Sequence, residues 1–231
     1  MRNVFRGAAF GAALLAAVLT GCSGGSGDAA GSGKSGAAAS TPPAVPSSAT
    51  APSPSPSGPT RAEVAERTGA LLTKTLAEAG GDDVAGPDGL LLVDAWPDTD
   101  QAEYTWETAD GRPCHATVGP ELVNVRACAT TPRNPSVVPG RVSPLFTSFA
   151  HGWGQIFAVD RGRVTAASCS GKPVKVIQAG TVANGARTLY AVWFPDYTKG
   201  EILLTVQQGD KTSRTSFSLS DVGTTSCTAT P

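Results

Sequence analysis

The eight residues Arg187-Thr188-Leu189-Tyr190-Ala191-Val192-Trp193-Phe194 constrain this chain more than any other stretch. Successive side chains of a strand point to opposite faces, so Leu189, Ala191 and Trp193 share one face and Tyr190, Val192 and Phe194 the other. Both sets are apolar. Such a strand is stable only in the middle of a sheet that is covered on both sides. Further strands are predicted around it at residues 156–159, 163–167, 174–179, 201–208 and 212–219. Gly209-Asp210 joins the last two as a two-residue hairpin turn. Asp160-Arg161-Gly162 reads as a three-residue hairpin loop with a left-handed glycine. Short strands at this spacing predict a C-terminal β-sandwich, either Ig-like or a small barrel.

The preceding stretch has a different pattern. Thr60-Arg61-Ala62-Glu63 matches a capping box, and Val64, Thr68, Leu71, Leu72, Thr75, Leu76 and Ala79 recur at helical spacing. Gly80-Gly81 ends that helix. A strand at 90–93 follows, then a hairpin of 103–108 and 114–118 about Asp110-Gly111, then a strand at 122–128. Pro132, Pro135, Pro139 and Pro144 mark a connector, and Ser143-Pro144 reads as the start of a short helix running to Gly152. The fold class expected is therefore mainly β with a smaller α+β part. A helix and a short antiparallel sheet form an acidic unit at 60–131, a Pro-rich connector covers 132–144, and a basic β-sandwich covers 145–231.

Four of the five cysteines, Cys114, Cys128, Cys169 and Cys227, lie in these regions. In an exported chain an even set reads as two disulfides with three connectivities open. Cys114–Cys128 with Cys169–Cys227 is favoured, because each bond then stays within one predicted unit. A two-residue turn at Gly119-Pro120 would set Cys114 against Val125, so the first bond requires a bulge or a longer loop. A metal site built from the four thiolates is disfavoured, since no C-x-x-C pair exists.

The fifth cysteine belongs to a different kind of segment. Arg2 and Arg6 precede an apolar run at 8–19, the layout of an export signal. Only fifteen uncharged residues run from Gly7 to Gly21, against the roughly 20 that a membrane-crossing helix needs. Leu19-Thr20-Gly21-Cys22 resembles the lipobox of bacterial lipoproteins. That resemblance implies removal of residues 1–21 as a signal peptide and a diacylglycerol on Cys22. It places the protein in the lipid bilayer at the outer face of the bacterial cytoplasmic membrane, exposed to the cell wall. Two acyl chains anchor stably because each buried methylene contributes about 0.8 kcal/mol. Residues 22–59 then form a lipidated tether, rich first in Gly, Ser and Ala and then in Pro, Ser and Thr. Such a composition buries too little apolar area to offset its ordering entropy and predicts disorder. The Ala-, Gly-, Pro- and Arg-rich usage is that expected of a high-GC bacterium such as an actinobacterium.

Charge excludes some partners. After residue 21, sixteen Lys and Arg face nineteen Asp and Glu, a balance that predicts no nucleic-acid partner. Residues 60–111 hold twelve acids and three bases, whereas the chain from 112 onward holds twelve bases and six acids. The halves are then either two solvated surfaces, or surfaces that dock on each other, or the basic half faces an anionic wall polymer or partner.

Motifs that carry chemistry are sparse. Gly33-Lys34-Ser35 sits in the tether, without the strand and helix that flank a phosphate-binding loop. Asp98-Thr99-Asp100 lacks the turn glycine and closing glutamate of a calcium loop and reads as a solvated turn. His115 and His151 are the two histidines, and no serine sits in a nucleophile elbow. Trp193-Phe194-Pro195-Asp196-Tyr197 is the aromatic cluster, with Trp193 expected in the sandwich core and Phe194 and Tyr197 projecting as a contact patch. Trp153, between Gly152 and Gly154, joins that candidate patch. No catalytic residue, cofactor or metal is predicted. The expected function is non-enzymatic: a membrane-anchored extracytoplasmic lipoprotein that binds or modulates an envelope protein or wall polymer. The alternative is a small cell-wall-modifying hydrolase using His115 or His151 with a carboxylate.

Overall fold

Helix α1, Arg61–Ala79, opens where the capping box is read: the Thr60 hydroxyl accepts from the Glu63 N–H and the Glu63 carboxylate accepts from the Thr60 N–H. These bonds from Thr60, helped by Arg67, hold the Glu63 carboxyl below its usual range. Gly80, at φ 62°, ends the helix. The computed structural model describes residues 58–133 and 136–229, so the leader, Cys22 and nearly all of the predicted tether lie outside the described residues. Val64, Thr68, Leu72 and Leu76 make the buried face. Thr60→Ala should cost about 1 kcal/mol of stability, read as a lower denaturation midpoint.

The helix packs on sheet I, a meander of β1 (Leu91–Trp96), β2 (Gln101–Glu107), β3 (Pro113–Val118) and β4 (Val123–Cys128) in that order. Alternation sorts the sheet into two faces. Ala102, Tyr104 and Trp106 of β2, with Cys114, Ala116 and Val118 of β3, join the helix in one core. Glu103, Thr105, His115 and Thr117 have the opposite parity, yet they are buried too. Something must therefore cover the second face.

That cover is sheet II, formed by β5 (Val142–Ser148), β6 (Trp153–Asp160), β9 (Val176–Val182) and β10 (Arg187–Phe194) in the order β5-β6-β10-β9. β10 is central and pairs β6 along its whole length, from Arg187↔Asp160 to Phe194↔Trp153. Leu189 and Ala191, with Ile156 and Ala158, pack toward Leu91 and Val93 of sheet I. Tyr190, Val192 and Phe194, with Trp153, Phe157 and Val159, pack toward Ile202, Leu204, Val206 and Phe217 of sheet III. Sheet III comprises β7 (Arg163–Cys169), β8 (Lys172–Pro173), β11 (Thr198–Gln208), β12 (Lys211–Ser218) and β13 (Thr225–Cys227), with β13 parallel to the start of β11. The protein is thus mainly β with a small helical part, layered as helix, sheet I, sheet II and sheet III. Gly200 permits the β13 contact. At φ 90°, with the Cys227 carbonyl oxygen 2.2 Å from where a Cβ would sit, no side chain fits there.

Two expectations are corrected. Residues 143–152 do not form a short helix; β5 occupies most of them as an edge strand. Pro144 adjoins a register shift in that strand, and an edge strand beside an irregularity is where a residue without an N–H is tolerated. Asp160-Arg161-Gly162 does not close a hairpin either. β6 already has β5 and β10 on its two flanks, while β7 pairs β11 and β8. The link is instead a corner between sheets: Arg161 takes φ 43°, and the chain passes into sheet III at Gly162, whose notional Cβ would lie 3.0 Å from Val206.

Both disulfides form, Cys114–Cys128 and Cys169–Cys227. The first meets the register requirement by both devices at once. The β3–β4 loop is longer than two residues, with the Gly119 N–H donating to the Leu122 carbonyl, and a shift lies between Thr117↔Val125 and Val118↔Val123. Cys114 then opposes Cys128 directly. A buried ion network also crosses the layers. Arg187 Nε donates to Asp160 Oδ1 at 3.0 Å, and its Nη1 donates to Glu107 Oε1 of sheet I at 3.3 Å. Arg141 Nη2 donates to Asp160 Oδ2 at 2.9 Å. Here a base of the second half does meet an acid of the first.

Candidate functional site

One end of the stacked sheets is aromatic, and strand register explains why. β6 starts at Trp153 and β10 ends at Phe194, which are paired, and Trp193 lies opposite Gly154. The missing side chain at Gly154 gives the Trp193 ring its place; a Cβ there would sit 2.3 Å from it. Trp96, the last residue of β1, meets Trp193 edge-on at 5.2 Å and stacks on His151 at 5.2 Å. On the sheet III side the Trp153 ring touches Phe194 at 5.7 Å and Tyr197 at 5.4 Å. Phe149 lies against Tyr197 at 5.8 Å, the two rings inclined by 52°.

Exposure divides this cluster into support and surface. Trp153 is 2% exposed and Phe194 8%, so both belong to the core between sheets II and III. Tyr197 is 38% exposed and Phe149 66%. Of the expected patch, Tyr197 alone therefore reaches the surface, and its surface partner is Phe149, which sequence reasoning missed. The parity of β10 decides the matter: Phe194 shares the sandwich face with Tyr190 and Val192, which sends Trp193 to the sheet I side rather than into the sandwich core. The only signal for Phe149 in the sequence is a large apolar residue just past a strand end, beside His151-Gly152. Phe149 also lines a hollow of about 260 Å³ with Thr117, Asn124, exposed Val125 and Thr147. This surface therefore draws on both halves of the chain.

The histidines lie apart. His115 Nδ1 is 2.9 Å from Glu103 Oε1, and the Thr117 hydroxyl donates to Glu103 Oε2 at 2.6 Å. A histidine–carboxylate pair can serve as a general base only if it reaches a substrate proton. Here Glu103 and His115 are both buried between sheets I and II, and the Phe146 ring stacks on the imidazole at 4.4 Å. The pair satisfies a buried carboxylate between two layers, which is a structural task. His151 is exposed and stacks on Trp96.

Two of the carboxylates that could face a cation are engaged by arginines. Asp100 pairs with Arg67 of the helix. Asp83 lies near the sulfurs of Cys114 and Cys128, but those form the disulfide and Asp83 is 2.8 Å from Arg112 Nη1. Among the described residues no helix is long and apolar enough to cross a membrane. No protein-family model, no curated protein and no solved structure matches this chain.

Proposed function

We propose that this protein is a lipid-anchored extracytoplasmic binding module that docks an envelope protein through its aromatic end. The observation that carries the reading is the pair Phe149 and Tyr197, exposed at 66% and 38%, in which buried Trp153 braces Tyr197 and Tyr197 in turn supports Phe149. Exposed aromatics that are already held in place lose little conformational freedom on binding, which is how contact residues come to dominate an interface. Rings inclined by 52° make a wedge rather than the flat platform that a sugar face stacks on. The neighbouring hollow beside Val125 and Thr147 offers a pocket for a partner side chain. These features favour a protein over a wall polymer. The lipobox-like Leu19-Thr20-Gly21-Cys22 supports the anchor and the location at the outer face of the membrane.

Crosslinking on intact cells, with capture through a C-terminal tag, tests the reading. Wild-type protein should recover one envelope protein. The Phe149→Ala/Tyr197→Ala double variant should bind it roughly 30-fold more weakly, since a central aromatic contributes about 2 kcal/mol or more. Equal recovery by the double variant, or recovery of wall glycan alone, sinks the proposal. In the same cells Cys22→Ala should move the protein from the membrane to the soluble fraction; unchanged partitioning would remove the anchor.

A further inference from the structure

At the end of sheet II opposite the aromatic cluster, where Arg187 pairs with Asp160, the layers part into a groove of about 470 Å³. Four segments build its walls: the loop before β1, the β2–β3 hairpin, the connector around Pro132 and Arg133, and the β9–β10 turn. Its volume lies within the range of sites that hold small molecules. Pro87, Pro132, Val137, Ala183 and Ala186 make much of its lining apolar.

Two lining charges distinguish it from an accidental cleft. Arg133 is half-buried and its backbone N–H is bonded to the Gly111 carbonyl, but its guanidinium makes no hydrogen bond or ion pair among the described residues, and Asp160 and Glu107 offset its charge only at longer range. Burial, and then the neighbouring Arg187, push its pKa down, which means the cation is held at a cost. Asp88, also half-buried, lines the same groove, and its carboxylate too has no partner among the described residues. Partly desolvated charges are ordinarily paired. These two have opposite sign, face one hollow and do not pair with each other. Glu107 and Arg187, at the groove floor, already bond each other. A doubly charged anion would gain Arg133 but meet the carboxylates of Asp88, Glu107 and Asp110. A ligand carrying one negative and one positive group meets a counter-charge for each.

We propose that this groove binds a small zwitterion, a free α-amino acid or a short peptide, with its carboxylate on Arg133 and its ammonium on Asp88. Its body rests on the proline and alanine walls. The site stands apart from the aromatic surface and does not depend on the function proposed for it.

Isothermal titration of the soluble Cys22→Ala protein with alanine, the dipeptide Ala-Ala, acetate, methylamine and inorganic phosphate tests this. At least one of the two zwitterions should bind saturably, and at least tenfold more tightly than acetate, methylamine or phosphate. Whichever of alanine and Ala-Ala binds more tightly identifies the source as free amino acid or peptide. Arg133→Met and Asp88→Asn should each weaken zwitterion binding at least tenfold, because each removes one charge-assisted contact. Neither side chain is hydrogen-bonded or ion-paired into the Arg187–Asp160–Glu107 network, so each variant should still unfold cooperatively as a folded protein. Should Arg133→Met fail to fold, Asp88→Asn and the wild-type comparison with acetate still decide. Absence of saturable binding by both zwitterions up to 10-fold above roughly 1 mM, a weak-ligand limit, overturns the proposal. So does equal binding of acetate, or zwitterion binding unaffected by both substitutions.

Discussion

Arg187→Met is expected to lower the stability of the folded protein by about 3–5 kcal/mol, the usual result of removing one partner from a buried ion pair. The side chains of Arg187 and Asp160 are 3% and 2% exposed, and Glu107 is 12% exposed. Methionine fills a similar length but leaves Asp160 to Arg141 and the Val138 N–H. It also leaves Glu107 without the guanidinium that most offsets its burial, with Arg133 the remaining one. Burial already raises the Glu107 carboxyl above its usual range, with Arg187 the largest opposing influence. Where a carboxyl's folded pKa exceeds its unfolded value, the folded state binds more protons between the two values, so stability falls as pH rises through that window. Loss of Arg187 widens the window. The variant should therefore lose more stability than wild type as pH rises from the ordinary glutamate range toward neutrality. Urea midpoints at pH 4.5 and pH 7 would measure both effects; a loss under about 1 kcal/mol at both would show the network to be nearly neutral.

Cys169→Ala/Cys227→Ala should cost about 4 kcal/mol, against about 3 kcal/mol for Cys114→Ala/Cys128→Ala. The difference follows from the loops released, since the first pair is 58 positions apart and the second 14. The consequences should also differ in place. Cys114 and Cys128 are neighbours across a ladder that holds them without the bond. β13 has three paired positions along β11, and its Cys227 belongs to the core between sheets II and III. Hydrogen exchange should therefore accelerate locally at Thr198–Gly200 and in the C-terminal segment when the Cys169–Cys227 bond is removed, and far less around β4 when the other is removed. Equal midpoints for the two double variants would contradict the loop-length account.

What the sequence made legible was whatever a local pattern decides. The capping box at Thr60 and the turn at Gly209-Asp210 involve residues that touch their near neighbours, so the expected helix and hairpin are both observed. The double apolar face of β10 reports burial directly, and it revealed a covered sheet without showing what covers it. Adjacency was less legible. The segments on either side of Arg161-Gly162 have the composition of a hairpin, but whether β6 had a flank free depended on β5, which Ser143-Pro144 had suggested was helical. The exposure of Phe149 and the placing of Asp88 and Arg133 on one groove depend on layers packing together, and no short-range spacing encodes that. The contact patch was legible only in part for the same reason: one residue of phase exchanges Trp193 and Phe194 between two cores.

The position of β10 also bears on how such a protein can arise and be rearranged. Its two faces serve different cores, so neither half of the chain is a transferable module. A fragment starting after the connector would carry Ile156, Ala158, Leu189, Ala191 and Trp193 on a face open to water, an apolar patch of the kind that drives self-association. A fragment ending before it would uncover Leu91 and Val93, together with the Glu103–His115 pair. A rearrangement of this architecture keeps both faces of β10 covered only when residues on both sides of the connector move together.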